Sequence, residues 1–139
     1  MSRAEKNRAR PGADLLDQLA DIVVDLETDG RIAWINQAIR RIFGIDPDQL
    51  EGRSFLEIVA SEDRERTIAG FRKVVESGDD LTLRFQGLRR DGVRLSIEAA
   101  FRAAPRSDGR GAITAVCRDV THDESTSRVD RLHRARDRA

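Results

Sequence analysis

The side chains that chemistry could use in this 139-residue chain are two histidines, one cysteine and several paired carboxylates. A hydrolytic site needs a nucleophile beside a general base, yet His122 and His133 both follow the last strand-like run. Cys117 and the two histidines lack the spacing that closes a tetrahedral zinc site. The pair Glu62-Asp63 is explained more simply as first-turn charge at the start of a helix. We therefore predict that the chain is not an enzyme and binds no metal.

Composition narrows the class of protein further. Lysine plus arginine and aspartate plus glutamate number 25 each, and this formal net charge of zero argues against a dedicated nucleic-acid-binding protein. A single cysteine excludes an intramolecular disulfide and favours a reducing compartment. No apolar run approaches the roughly 18 residues that span a bilayer, and the N-terminus leads into no signal-peptide core. We expect a soluble, cytoplasmic protein that binds neither nucleic acid nor a membrane.

The stretch 22–53 contains the elements that would position a functional site. A short apolar run, Ile22–Leu26, precedes a Thr28-Asp29-Gly30 turn, where glycine takes the positive φ of a two-residue hairpin turn. A second strand-like run leads to Asn36, whose side chain makes it a good helix N-cap. Apolar residues at helical spacing follow and end at Gly44. The pattern predicts strand, turn, strand and capped helix.

The residues after Gly44 predict short helices, one long helix and three antiparallel strands. The long helix begins at Ser61-Glu62-Asp63 and ends at Gly78, with a buried stripe of Ile68, Phe71, Val74 and Val75. Two alternating runs flank Arg90-Asp91-Gly92, which favours a primed hairpin turn. A last strand covers 112–121. Because the helices can cover only one face of such a sheet, the fold class is α+β.

This order of elements resembles the PAS (sensory box) family. The family's motifs are matched by Asp29-Gly30, Asn36, Phe43-Gly44 and a closing Asp119-Val120-Thr121. The resemblance implies a five-stranded antiparallel sheet of order 2-1-5-4-3, with short helices packed on one face to form a cup. We divide the chain into a disordered basic tail at 1–12, a PAS-like sensory domain at 13–121 and a C-terminal signalling-helix stub at 122–139.

The resemblance allows cofactors to be tested at single positions. Haem-binding relatives commonly supply an axial histidine from the long helix, which here has none between Ile68 and Val75. Light-sensing flavin relatives place a reactive cysteine where this chain reads Gly52-Arg53-Ser54-Phe55-Leu56-Glu57. Cys117 is interpreted as a small buried hydrophobic residue. These positions argue against both cofactor types, and the identity of any cofactor stays open, including a flavin that stacks on Trp34.

Apolar residues of the cup form a candidate ligand site. Such residues also form the plain core of any domain, and this interpretation is favoured. Small side chains at 98–101 and 112–115 would leave room for a ligand. Asn36, Ser96 and Thr114 are candidate polar contacts. The predicted lining consists of Leu26, Ile39, Ile42, Phe55, Ile58, Ile68, Phe71, Phe85, Ile97 and Val116.

The end of the last strand is the candidate site of signal relay. In resembling proteins, an Asp-Ile/Val-Thr ending lies where the domain passes into an effector or coiled-coil helix. Asp119 and Thr121 are therefore predicted relay residues, although a simple strand-end cap explains them equally well. A helix through Leu15, Leu16 and Leu19 is predicted to form a homodimer.

Our leading hypothesis is a non-catalytic sensory and protein-interaction module in bacterial-type signal transduction. Its partners would be a second copy and an effector domain or signalling protein. One alternative is a small-molecule or flavin carrier. Another is the sensor fragment of a larger histidine kinase, cyclase or transcription regulator.

Overall fold

The structure is a computed structural model that describes residues 5, 7, 10–103 and 113–122. Most of the predicted basic tail and of the signalling-helix stub lies outside the described residues. Two residues of the predicted tail, Asn7 and Arg10, make contacts with the domain that a disordered tail would not make.

The strands form one antiparallel sheet whose order is β2-β1-β5-β4-β3. This confirms both the predicted order and the α+β class. Apolar side chains alternate toward one face because successive residues of a strand point to opposite sides. The strands are β1 (Ile22–Leu26), β2 (Ile32–Ile35), β3 (Leu81–Leu88), β4 (Arg94–Ala103) and β5 (Ile113–Asp119).

Among the described residues, side-chain caps mark the start of two helical segments, one after Asp46 and one after Ser54. Asp46 and Gln49 form a capping box at the start of a one-turn helix, with Pro47 as its first residue. The long helix begins at Arg64, because Ser61–Asp63 forms a separate 3₁₀ turn before it. The helices are α1 (Ala13–Leu16), α2 (Ala38–Phe43), α3 (Pro47–Leu50) and α4 (Arg64–Ser77), and a further 3₁₀ turn covers Phe55–Ile58.

Helices and sheet pack closely over the inner face of the sheet. The rings of Phe55, Phe71 and Phe101 contact one another, with centroids 5.3 to 6.2 Å apart. A Cβ atom on Gly87 would lie 2.7 Å from Phe43 Cζ, and one on Gly70 would lie 2.7 Å from Leu83 Cδ2. These glycines therefore let two helices approach the sheet more closely than any larger residue would allow.

Both hairpin turns differ from the two-residue turns predicted for them. Glu27 N donates to Arg31 O at 2.8 Å, and Gly30 N donates back to Glu27 O at 2.9 Å, which gives a three-residue loop. The same pattern joins Arg89 to Val93. No described residue other than glycine has a positive φ, which excludes the primed turn with two left-handed residues. Each loop is instead a tight turn closed by a left-handed glycine.

The outer edges of the sheet are covered by one connecting segment, residues 52–63. At the β2 edge, Ile32 N donates to Arg53 O at 2.8 Å, and Ile32 O accepts from Gly52 N at 2.7 Å. At the β3 edge, Gln86 O accepts from Ala60 N at 2.8 Å, and Gln86 N donates to Asp63 Oδ2 at 2.7 Å. The edge-facing main-chain groups of Ile32 and Gln86 are thus partnered within the chain.

Candidate functional site

The end of β5 is tied to the start of β4. Thr121 Oγ1 accepts a hydrogen bond from Ser96 N at 2.9 Å and donates one to Asp119 Oδ1 at 2.5 Å. Asp119 Oδ1 also accepts from Thr121 N at 3.0 Å. Between them, Val120 N donates to Ser96 O at 2.8 Å, and the Val120 side chain is buried. The two predicted relay residues therefore lie together and define how the chain leaves the sheet.

A series of hydrogen bonds continues from this exit to the start of α4. Ser96 Oγ accepts from Gln86 Nε2 at 3.1 Å, because the two residues are paired across β3 and β4. Gln86 N donates to Asp63 Oδ2, and Asp63 directly precedes α4. We call Asp63, Gln86, Ser96, Thr121 and Asp119 the exit series. It joins a helix over the inner face to the end of the last strand.

The sequence predicted only part of the exit series. Asp119 and Thr121 were found as a motif, and Ser96 as a candidate polar contact. Gln86 and Asp63 were missed as functional residues, since Asp63 looks locally like first-turn charge. The signal that would have found Gln86 is its place opposite Ser96 in two strands joined by a strong hairpin signal.

Nine of the predicted lining residues lie on the inner face as expected. Ile42 and Ile68 are partly buried, and the other seven are buried in the main hydrophobic cluster. Phe101, which was not among them, is buried there as well and completes the ring contacts of Phe55 and Phe71.

Val116 does not line the cup, so this expectation is wrong. Its neighbours Ala115 and Cys117 point into the core, while Val116 lies on the outer face and is 40 % exposed. The alternation along β5 is therefore offset by one residue from the predicted one. Val116 instead borders a surface depression of about 380 Å³ that Thr114, Ala100 and Thr82 also line.

Trp34 and Thr114 also lie on the outer face of the sheet, apart from the apolar cup. Trp34 packs with Ala13 and Val23 in a second, smaller buried cluster. Thr114 Oγ1 donates to Asp25 Oδ1 at 3.1 Å. The structure therefore does not bring these two candidate contacts together with the lining residues.

Asn36 is fully buried but does not cap α2, whose N-cap is Gln37. Its side chain accepts from Val23 N at 3.0 Å and donates to Leu16 O at 2.7 Å and to Asp21 O at 3.0 Å. The prediction that Asn36 is a helix N-cap is therefore wrong. Its side-chain hydrogen bonds instead join the end of α1 to the start of β1.

The three leucines predicted to dimerise differ in exposure. Leu15 and Leu19 are 71 % and 45 % exposed, whereas Leu16 packs against the Trp34 cluster. Leu15 on α1 and Leu19, three residues after its end, form an exposed apolar surface at the outer side of the domain.

The outer face carries an ion pair that the sequence analysis did not predict. Arg10 Nε donates to Asp25 Oδ2 at 2.7 Å, and Arg10 Nη2 donates to Asp25 Oδ1 at 3.3 Å. Arg10 also lies over the ring of Trp34, 5.3 Å from its centroid. The signal for this pair was a carboxylate inside the apolar run Ile22–Leu26, since a buried carboxylate requires a partner.

Cys117 is buried, and its thiol is expected to be unreactive. Burial, together with the negative charge of Asp21, raises the pKa of the Cys117 thiol to about 12. A thiol with so high a pKa supplies little thiolate near neutral pH. Among the described residues, no cluster of three histidine, cysteine or carboxylate groups is placed to hold a metal ion. The helices in this part of the chain are all too short or too polar to cross a membrane.

Comparisons with known proteins agree with this architecture. The sequence model of a family described as "PAS fold" matches residues 16–125. A search of curated protein sequences found no significant match. Among solved structures, the chain is similar to the PAS domain of a protein from Colwellia psychrerythraea, with a TM-score of 0.69 and 21 % identity, over 86 % of this chain and 98 % of that one.

Two other solved structures extend the comparison. Drosophila melanogaster Cycle PAS-B with bound ethylene glycol has a TM-score of 0.63 and 19 % identity, over 70 % of this chain and 98 % of that one. The PAS domain of an HTR-like protein from Haloarcula marismortui has a TM-score of 0.61 and 26 % identity, over 84 % of this chain and 94 % of that one. With the family match spanning most of its length, this chain belongs to the PAS fold family, whose members are sensory and signalling modules.

Proposed function

We propose that this chain is a non-catalytic sensory and protein-interaction module that relays a conformational change to the segment after Thr121. The observation that carries the proposal is the exit series, which joins the start of α4 to the end of β5 through hydrogen bonds. PAS domains are typically non-catalytic sensory modules, which supports the same conclusion. A cytoplasmic location and a role upstream of a histidine kinase, cyclase or transcription regulator belong to this proposal.

The relay rests on the two contacts of Gln86. Its backbone N–H donates to the carboxylate of Asp63, and its side-chain amide donates to the hydroxyl of Ser96. A ligand or partner that displaces α4 would change the first contact, and the register of β3 against β4 would pass the change to Ser96. A coupling of this kind needs an element with two arrangements, and we assign that role to the exit at 119–121.

The relay is tested by nuclear magnetic resonance of the full chain. Asp63→Ala removes the acceptor of the Gln86 amide, so amide shifts are expected to change at Gln86, Ser96 and Thr121. Asp48→Ala, which removes an exposed acid from the first turn of α3, is the matched control and should leave those amides unchanged. Changes that stop at Gln86 would contradict the relay.

We also propose that the module works as a homodimer through the outer side of α1 and of the segment that follows it to residue 19. Leu15 and Leu19 are the exposed apolar residues that support this role. Leu15→Glu is expected to shift the sedimentation equilibrium toward monomer. Leu88→Glu, at a leucine that is 38 % exposed on β3, is the control. Dimers of equal strength in the two variants would count against this interface.

A small-molecule-binding role is the second candidate. The similar Cycle PAS-B structure contains ethylene glycol, and the inner face here is apolar, as ligand sites usually are. The absorption spectrum and native mass of freshly purified protein distinguish the two functions. Flavin or haem bands, or a retained small molecule, would favour the carrier, whereas a colourless protein of bare-chain mass would favour the interaction module.

A further inference from the structure

The outer face holds a guanidinium in the manner of a binding site. Arg10 reaches the Asp25 carboxylate through two N–H groups, and Thr114 Oγ1 donates to the same carboxylate. The Asp25 side chain is only 4 % exposed, and that of Arg10 is 19 % exposed. Trp34 supplies a ring 5.3 Å from the guanidinium carbon. A forked cation on a carboxylate and beside an aromatic ring is arginine recognition rather than a surface ion pair.

The segment that carries Arg10 is otherwise held lightly. We call residues 10–19 the strap. Its helix α1 has four residues, far fewer than an isolated helix needs. Ala13 is buried and Leu16 is partly buried against the Trp34 cluster, whereas Leu15 and Leu19 are 71 % and 45 % exposed. Much of its remaining attachment is polar, including Asn36 Nδ2 to Leu16 O and Gln37 N to Asp17 Oδ1.

Arg10 and the strap are coupled by the burial of Asp25. If Arg10 leaves while the strap stays in place, Asp25 remains a buried carboxylate without its cation, which is strongly unfavourable. With Arg10 and the strap in place, the Asp25 side chain is 4 % exposed, so we infer that release of Arg10 and release of the strap are coupled. The docked strap with Arg10 bound and the open strap with Asp25 hydrated are then the two states between which the chain would switch.

We propose that Asp25, Trp34 and Thr114 form a guanidinium-binding site, and that occupation of this site by Arg10 is the switch that holds the strap on the domain. The site selects a planar, forked cation, so an arginine side chain fits it and an ammonium ion does not. Opening exposes Val23 and Trp34, which the strap covers with Ala13 and Leu16. The proposal is independent of the exit series, which lies at the other end of β5.

Chemical rescue in the full chain tests the site. Trp34 is the chain's single tryptophan, so its fluorescence reports the strap directly. Arg10→Ala is expected to increase acrylamide quenching of Trp34 and to speed amide exchange in residues 13–19 by about a hundredfold or more, since one partner of a buried pair is lost. Adding methylguanidinium should restore both signals, and methylammonium should not. Arg84→Ala, which breaks an exposed pair on the same face, is the control and should change neither signal.

Further variants define which results overturn the proposal. Arg10→Lys keeps the charge without the fork and should open the strap partly while the core stays folded. In the Arg10→Ala background, Asp25→Asn should abolish the recovery of both signals by methylguanidinium. Unchanged quenching and exchange in Arg10→Ala would overturn the switch. Rescue by methylammonium as strong as by methylguanidinium would overturn the selective site. Loss of core protection together with the strap would overturn the strap as a separate unit.

Discussion

The hydroxyl oxygen of Thr121 accepts a hydrogen bond from the backbone amide of Ser96 at 2.9 Å, across 25 residues of sequence. A serine or threonine after a strand usually satisfies local backbone groups. Here the same hydroxyl also donates to Asp119 two residues before it, so a local turn and a long-range contact share one oxygen. The direction in which the chain leaves the domain therefore depends on the position of β4.

Thr121→Val is expected to lower the free energy of unfolding by about 1–3 kcal/mol, because the Ser96 amide loses its acceptor in a partly buried place. Urea denaturation measures the change. Thr82→Val, at an exposed threonine on β3, is the control and should stay within about 0.5 kcal/mol of the original chain. Asp119→Ala should cost about 1 kcal/mol, since it removes the other half of the turn. Equal stability of Thr121→Val and Thr82→Val would show that the long-range contact contributes nothing.

Phe71→Ala is expected to cost roughly 3–5 kcal/mol of unfolding free energy, as for other large aromatic residues in cores. The side chain is 1 % exposed and contacts two other rings. Thermal unfolding followed by circular dichroism measures the loss. Leu88→Ala, at an exposed leucine, supplies the comparison. A melting temperature near that of Leu88→Ala would mean that the ring cluster is not the centre of the core.

Gly87→Ala is expected to destabilise the chain by about 1–3 kcal/mol through overpacking. The new methyl group would lie 2.7 Å from Phe43 Cζ and 3.0 Å from Ile97 Cγ1. The double variant Gly87→Ala, Phe43→Leu tests this cause, because a smaller side chain at 43 frees the space. The double variant should lose less unfolding free energy than the sum of the losses in the two single variants. Strict additivity would rule out a direct clash.

Asp91 makes the β3–β4 turn sensitive to acid. Its hydrogen bonds with the Arg89 side chain, and then with Val93 N, lower the pKa of Asp91 from 3.8 to about 2. A carboxyl group whose pKa is lowered by folding stabilises the fold above its unfolded pKa, and this contribution disappears as the pH falls through the folded pKa. The loss therefore falls between about pH 4 and pH 2.

Arg89→Met is expected to return the pKa of Asp91 toward its ordinary value, which carbon-detected titration of the carboxyl group would measure. Arg31→Met, at the corresponding turn between β1 and β2, is the control for loss of a surface arginine. An Asp91 pKa that stays near 2 in Arg89→Met would assign the shift to the Val93 amide instead.

The order of elements could be predicted well from the sequence, because the residues that form a turn or a cap are close together along the chain. Asp46-Pro47 and Asp91-Gly92 mark boundaries that the structure retains, even though the second turn is a three-residue loop. The role of a side chain was harder to predict where its hydrogen-bond partners are distant in sequence. Asn36 has the side chain of a cap, yet its hydrogen bonds go to Val23, Leu16 and Asp21, and no local pattern shows that competition.

The local sequence pattern also could not show which face of the sheet each β5 side chain occupies. A run with apolar side chains at most positions fits either alternation, so Val116 was placed inside when Ala115 and Cys117 occupy that side. Arg10 was assigned to a solvated tail because neighbouring residues are basic and polar. Its partner Asp25 lies 15 residues away, and composition alone cannot connect the two.

The segment 52–63 that covers the strands at both margins limits how this protein can meet others. A β-strand from another chain joins a sheet by continuing its ladder of main-chain bonds. At Ile32 and Gln86 that ladder has already been continued by the protein's own residues. At these two positions, another strand cannot extend the ladder with main-chain bonds of its own, so recognition there has to use side chains.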